Sequence, residues 1–193
     1  MDGDQKKAHR LSAWLVFIDE SGLLLLPVVR RTWSRRGHTP VLWHRGRHRQ
    51  KVSVIAALCV SPDRQEVRLY FHLLVDATFN AAAVLTFVKQ LARQLGAPMA
   101  LVWDRSQTHR GPVIKTFLAG VRSVAFPFPP YAPELNPVEY VWSYLKTKPL
   151  ANLACPDVDQ LAVISRRHTR SLQHKSALLR CFIHHSPLSL RLK

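Results

Sequence analysis

Acidic residues are scarce in this chain. Twelve Asp and Glu stand against 28 Lys and Arg in 193 residues, a formal charge of +16. Cysteine is scarcer still. Cys59, Cys155 and Cys181 are odd in number and widely spaced, which excludes a recognisable disulfide framework or zinc pattern and fits a reducing compartment. No apolar run approaches the ~20 residues that a transmembrane helix needs, and the basic N-terminal segment lacks a long apolar region with a cleavage site. A membrane span and a secretory signal are therefore not expected, and the cytoplasm is the expected location. No repeat or low-complexity segment stands out.

What is present is a basic excess on a chain apolar enough to fold. With 47% hydrophobic residues in 193, it is long enough for one well-buried domain and too short for two ordinary ones. The positive charge favours a polyanionic partner, nucleic acid first and a membrane surface as its rival. His44, His48, His168, His174, His184 and His185 are mixed with Arg and Lys, so they read as solvated or phosphate-facing groups rather than metal ligands.

The pattern divides into a polar segment (1–12), a principal domain (13–148) and a basic, helical extension (149–193). Trp14–Ile18 reads as a buried strand delivering Asp19, Gly22 as a turn, and Leu23–Val29 as a second strand in which Pro27 marks an edge or bulge. Glu20 points away from Asp19 if the first strand persists. Arg30–Pro40 reads as a basic hairpin region punctuated by Gly37 and Pro40. Lys51–Val60 and Val67–Leu74 follow as strands of an antiparallel meander. The period then changes. Thr78–Leu95 carries Val84, Phe87, Val88, Leu91 and Leu95 at helical spacing and stops at Gly96 and Pro98. Met99–Trp103 is a strand buried on both faces, Pro112–Leu118 a short helix, and Val121–Phe126 the last strand. Strands first, then helices alternating with strands, predict an α/β mixed sheet with helices packed on it. Val158–Cys181 looks helical, with Leu161, Ile164, His168, Leu172 and Leu179 inward. Arg166, Arg167, Arg170 and Lys175 then form an outer face, solvated or set against DNA.

One stretch organises the rest. Pro129–Lys146 begins as a proline-stiffened loop and becomes a helix at Asn136, a good N-cap, with Pro137 at the first helical position. Val138, Val141, Trp142 and Leu145 make its buried stripe, and Glu139 falls in its first turn. Two readings of Glu139 compete: a capping box with Asn136, or a member of a site with two strand-end acids. Asp19 ends one apolar run and Asp104 another, where open α/β sheets place ligands. Three carboxylates suit hard divalent cations. Two such ions, roughly 4 Å apart, can activate a water and stabilise a leaving oxygen in phosphodiester cleavage. Without metal the carboxylates would repel, and at least one would hold its proton.

The motifs Phe17-Ile-Asp-Glu-Ser-Gly22, Arg31-Thr-Trp33 with Arg36-Gly37 and Thr39-Pro40, Trp103-Asp104 with His109-Arg110, and Pro130-Tyr-Ala-Pro-Glu-Leu-Asn-Pro-Val-Glu139 span Leu15 to Lys146. Together they resemble the catalytic domain of DDE transposases, in the bacterial insertion-sequence branch of the mariner-like superfamily. The 34 residues between Asp104 and Glu139 match the interval typical of that branch.

The resemblance implies a ribonuclease-H-like fold. It implies that Asp19, Asp104 and Glu139 are catalytic and bind two magnesium or manganese ions. The activity it implies is strand cleavage at the end of an insertion sequence, then attack of the freed 3′ hydroxyl on target DNA, usually at a TA step. It places His109 and Asn136 behind the metal ligands or on phosphate, and Arg105 departs from the Asn or small residue usual after the second Asp. Arg30, Arg31, Arg35 and Arg36 are expected to bind DNA, as are Arg45, Arg47, Arg49, Lys51 and Arg110. Trp33 and Trp43, among these cations, either pack or stack on bases.

Transposases of that branch carry helix-turn-helix modules before the catalytic domain, and the segment preceding Trp14 is too short for one. A split reading frame, a truncated copy or an excised domain would each account for that. Candidate partners are element ends, target DNA, a second copy of the chain and a separately encoded helix-turn-helix protein, with no membrane. Two other functions stay open: a DNA-binding remnant without catalysis, and a host nuclease acting on RNA–DNA hybrids. The proline loop before Glu139 speaks against the latter.

Overall fold

Residues two apart on a strand share a face, and here both faces of the sheet are apolar. A computed structural model describes residues 12–43, 50–109, 111–188 and 190–193. Its strands are β1 (Trp14–Leu24), β2 (Lys51–Val60), β3 (Val67–Val75), β4 (Met99–Trp103) and β5 (Val124–Pro127), in the order β3-β2-β1-β4-β5. β2 pairs antiparallel with β1 and β3, while β4 pairs parallel with β1 and β5. Among the described residues the α-helices are α1 (Ala81–Leu95), α2 (Pro112–Gly120), α3 (Val138–Thr147), α4 (Val158–Gln173) and α5 (Ser176–His185).

Alternation splits the core in two. Val16 and Ile18 of β1, Ile55 of β2 and Leu101 of β4 pack against α1 and α2. Phe17 and Leu23 of β1, with Val54 and Leu58 of β2, pack against α3, α4 and α5. The five apolar residues expected on the inner face of α1 are all buried there. Asn80 caps that helix by accepting from the Ala83 N–H at 2.9 Å. Gly96 closes it at φ +62°, a left-handed conformation that costs glycine least, and donates to the Ala92 carbonyl at 3.0 Å.

Several elements differ from expectation. β1 does not turn at Gly22; it continues to Leu24, because β2 pairs with it residue by residue from Leu15 to Leu24. No second strand follows. Leu25 donates to the Gln50 carbonyl at 3.2 Å, and two residues on Pro27 has no N–H to extend a ladder. The segment 30–40 is no hairpin but an irregular excursion with one turn, where His38 donates to the Arg35 carbonyl at 3.0 Å and Gly37 has φ +82°. Its base is fastened by Asn152, whose amide accepts from the Arg30 N–H at 2.8 Å and donates to the Arg30 carbonyl at 2.9 Å. β5 begins at Val124 rather than Val121, because Val121 and Arg122 are spent turning out of α2, with Arg122 at φ +51°.

The helix expected over Val158–Cys181 breaks at His174 and Lys175 into α4 and α5. On α4 the inward positions are Ser165 and Thr169, whereas Ile164 and His168 are only half-buried. Thr169 satisfies its hydroxyl on the Ser165 carbonyl at 2.8 Å, so a polar side chain fits a buried turn. Leu172, Leu179 and Ile183 are fully buried in the same cluster as Val54 and Leu58, so these helices complete one core of the sheet.

That shared core makes a prediction. Leu179→Ala and Leu58→Ala should each cost about 2–5 kcal/mol, the range for a buried leucine, and both should lower the midpoint of one and the same unfolding transition. A second transition moved only by Leu179→Ala would show that 158–185 form a unit of their own.

Candidate active site

Asp19 lies in the middle of β1 rather than just past its end. The strand-end expectation survives on one side only. β4 accompanies β1 from Trp14 to Phe17 and then stops, while β2 continues past Asp19 on the other side. Asp104 immediately follows the last residue of β4. Both aspartates therefore stand where the parallel ladder opens, the crevice position of α/β sheets.

The proline loop is pinned across the same opening. Phe128 donates its N–H to the Trp103 carbonyl at 2.8 Å, and its carbonyl accepts from Arg105 Nε at 3.2 Å, so one backbone and one side-chain partner hold it from the residues flanking Asp104. Its ring is buried and stacks on Phe17 at 6.3 Å. Arg105, the departure from the family pattern, is thus a fastener of the loop. Asn136, buried at the other end, has extended dihedral angles and accepts from the Val138 N–H at 3.2 Å. Its amide reaches the Ile18 carbonyl at 3.4 Å, a long contact just before Asp19. Pro137 already has helical angles ahead of α3.

No capping box forms. The Asn136 N–H is given to the Pro133 carbonyl at 2.8 Å, which leaves it unavailable to the Glu139 carboxylate. Glu139 is exposed in the first turn of α3.

Asp19, Asp104 and Glu139 line one cleft of about 370 Å³ with Phe128–Pro133 and Asn136. Asp19 Oδ2 accepts from the indole N–H of Trp142 at 2.7 Å. Burial pushes the Asp19 carboxyl up to about 7; the Trp142 bond lowers it, and the charges of Glu139 and then Asp104 raise it again. The three acids therefore feel one another, but burial more than their repulsion is what raises Asp19. An all-oxygen carboxylate set fits a hard divalent cation. The set is nonetheless open: among the described residues no group of three or more His, Cys, Asp or Glu side chains is drawn together closely enough to hold an ion.

The model of the DDE superfamily endonucleases matches residues 14–162. The chain belongs to that family. A comparison with curated proteins gave no match. Among solved structures, a Mos1 transposase paired-end complex with the left transposon end is 16% identical with a TM-score of 0.65, over 96% of this chain and 56% of that one. A Mos1 mariner paired-end complex with Mg gives 17% identity and a TM-score of 0.66 over 96% and 56%. The isolated catalytic domain of Mos1 mariner transposase gives 15% and 0.61 over 96% and 84%. This chain spans a little over half the length of the full transposase, and its fold is the ribonuclease-H-like mixed sheet that the resemblance implied.

Elsewhere in this DDE domain, His109 is buried, its ring lying flat on the Trp103 indole at 4.6 Å with 9° between planes. Burial lowers its pKa, but Asp104 and Glu20 outweigh burial and hold it at about 9. Arg30, Arg31, Arg35 and Arg36 are exposed on the excursion between β1 and β2. Trp33 and Trp43 on the same segment are 100% and 85% exposed, so they do not pack as strand tryptophans would. Lys51 is half-buried at the start of β2. Arg45, Arg47, Arg49 and Arg110 lie outside the described residues, as does most of the segment 1–12. Among the described residues no helix is long and apolar enough to cross a membrane.

Sequence reasoning missed the polar work of Trp142. Placed only in the buried stripe, it also anchors Asp19; the available signal was that a buried indole N–H needs an acceptor. It also missed Tyr131, fully exposed at φ +57° on the cleft rim, and the contact of Lys146 Nζ with Ser21 Oγ at 2.8 Å.

A buried carboxyl with a raised pKa weakens the fold as pH rises. Below about 4 both folded and unfolded states carry the proton, and between about 4 and 7 only the folded state keeps it. The penalty is complete above 7 and amounts to at most roughly 4 kcal/mol. Asp19→Asn keeps an oxygen for Trp142 and removes that titration. In metal-free buffer it should raise the unfolding free energy at pH 8 by up to that amount and change little at pH 3.5. Denaturant titrations at the two pH values would read this; equal effects at both would show that ionisation of Asp19 costs the fold nothing.

Proposed function

We propose that this domain cleaves and rejoins DNA strands as the catalytic domain of an insertion-sequence transposase, in the bacterial branch of the mariner-like superfamily. The observation that carries the reading is the single cleft shared by Asp19, Asp104 and Glu139, in a chain of the DDE endonuclease family. These residues would hold Mg²⁺ or Mn²⁺, two ions per site; Mos1 paired-end complexes have been solved with Mn and with Mg. Bound there, the ions would supply charge stabilisation and an activated oxygen for phosphodiester chemistry.

The chain's own groups do the rest. Trp142 fixes one oxygen of Asp19 at 2.7 Å. The Phe128 clasp holds the proline loop against Asp104. Glu139, whose carboxylate no described side chain engages, is free to turn toward the cleft. Arg30, Arg31, Arg35 and Arg36 would meet the phosphates of element-end and target DNA, and exposed Trp33 would stack on unpaired bases. On this reading the protein works in the cytoplasm, as a homodimer or with a helix-turn-helix protein that recognises the ends.

A second reading is a DNA-binding remnant without catalysis, and the open arrangement of the acids is the observation that favours it. The two are separated by nicking of end-containing DNA, with end recognition supplied by a fused helix-turn-helix module. Cleavage should require Mg²⁺ or Mn²⁺ and stop with a chelator. Glu139→Gln should lower it by orders of magnitude and leave the fold and salt-dependent DNA binding intact. Undiminished metal-dependent cleavage by that variant would remove Glu139 from the site. No cleavage by the unmodified, recruited protein would leave the remnant.

A further inference from the structure

Glu20 takes no part in the chemistry above, although it adjoins Asp19 and is one of only 12 acids in the chain. Because β1 continues unbroken, Glu20 faces the side of the sheet opposite to Asp19. On that side its Oε1 lies 3.3 Å from His109 Nε2, and Nδ1 of the same ring lies 2.7 Å from Asp104 Oδ1. The second contact is short but poorly directed for a hydrogen bond, so it is an ion-pair contact more than an aimed donor. Ser106 supplies the aimed one, its N–H donating to the same Oδ1 at 2.9 Å.

The exposures rank the roles. The side chain of His109 is 3% exposed, that of Glu20 30% and that of Asp104 60%. Sealed beneath Trp103, the imidazole cannot reach a substrate. What it can do is hold Oδ1 of the Asp104 carboxylate from behind. A group behind a metal ligand sets that ligand's orientation, and its loss typically weakens metal binding by about 10–100-fold.

We infer that Glu20 and His109 are positioning residues for Asp104, with Glu20 fixing the imidazole ring and the ring holding the carboxylate through its Oδ1. This rests on Asp104 being a metal ligand. One strand then serves both aspartates: Asp19 directly from one face, and Asp104 through Glu20 from the other. The adjacency of an Asp and a Glu on β1 thereby gains a physical reason.

The test measures Mn²⁺ binding to the whole chain, through the electron paramagnetic resonance signal of free Mn²⁺, with no turnover involved. Asp104→Ala should abolish binding at this site. Glu20→Ala should weaken it about 10–100-fold, and Glu20→Gln, which keeps an oxygen for His109, should restore most of the loss. Should Glu20→Ala not fold, Glu20→Asp keeps the charge and withdraws the oxygen from the ring, and it should weaken binding likewise. Unchanged affinity in Glu20→Ala or Glu20→Asp, with binding lost in Asp104→Ala, would overturn the positioning role and leave the metal site standing. Glu20→Gln binding as weakly as Glu20→Ala would make the effect one of charge and also overturn it. Binding unaffected by Asp104→Ala would refute the metal site itself, and this inference with it.

Discussion

Trp14 to Phe17 of β1 pair with Met99 to Val102 of β4, and past that point, among the described residues, β1 runs on with β2 as its only strand partner. The abrupt end of this short parallel ladder is the constraint on which the site depends. It leaves a notch into which Asp19 projects from mid-strand and Asp104 from the chain just leaving β4. The same notch receives the proline loop, since the Phe128 backbone bonds to the Trp103 carbonyl and to the Arg105 side chain. Glu139 arrives with the helix that follows. A longer β4 ladder would pair the backbone beside Asp19 and close the notch.

The notch gathers negative charge on a protein whose net charge is +16. The acids are accommodated in different ways: burial first, and then the charges of Glu139 and Asp104, hold the Asp19 carboxyl up to about 7, and Asp104 sits against the buried His109 ring. Trp142 then hydrogen-bonds the Asp19 oxygen. A cation entering the cleft would meet the field of all three acids. Exposed arginines and acids thus lie on different parts of the chain, Arg30, Arg31, Arg35 and Arg36 on the excursion between β1 and β2 and the acids in the notch.

Much of this is legible in local sequence pattern. The five inward residues of α1 repeat at helical spacing, β4 is an unbroken apolar run, and the proline loop leads into a helix whose first turn carries an acid. Those signals depend on residues near one another in sequence. What failed depended on distant partners. Gly22 looked like a turn because nothing local shows that β2 will pair through it; the register with Ser53 keeps it in the strand. Arg30–Pro40 looked like a hairpin, yet its first residue finds its hold at Asn152, 122 residues from Arg30. Glu20 and His109 are 89 residues apart, and no spacing rule joins them. Trp142 was placed correctly as an apolar residue and missed as a donor, because hydrophobic period is silent about a single N–H.

If the notch is a metal site, Asp19 and Asp104 share a divalent cation at the end of the parallel ladder. Diffraction from crystals soaked in Mn²⁺, recorded at a wavelength with strong manganese anomalous scattering, tests this most directly. An anomalous peak is expected within coordination distance, about 2–2.5 Å, of carboxylate oxygens from both aspartates, with the Trp142–Asp19 hydrogen bond retained. A well-ordered, empty notch at saturating Mn²⁺, or a peak held by other residues alone, would contradict it.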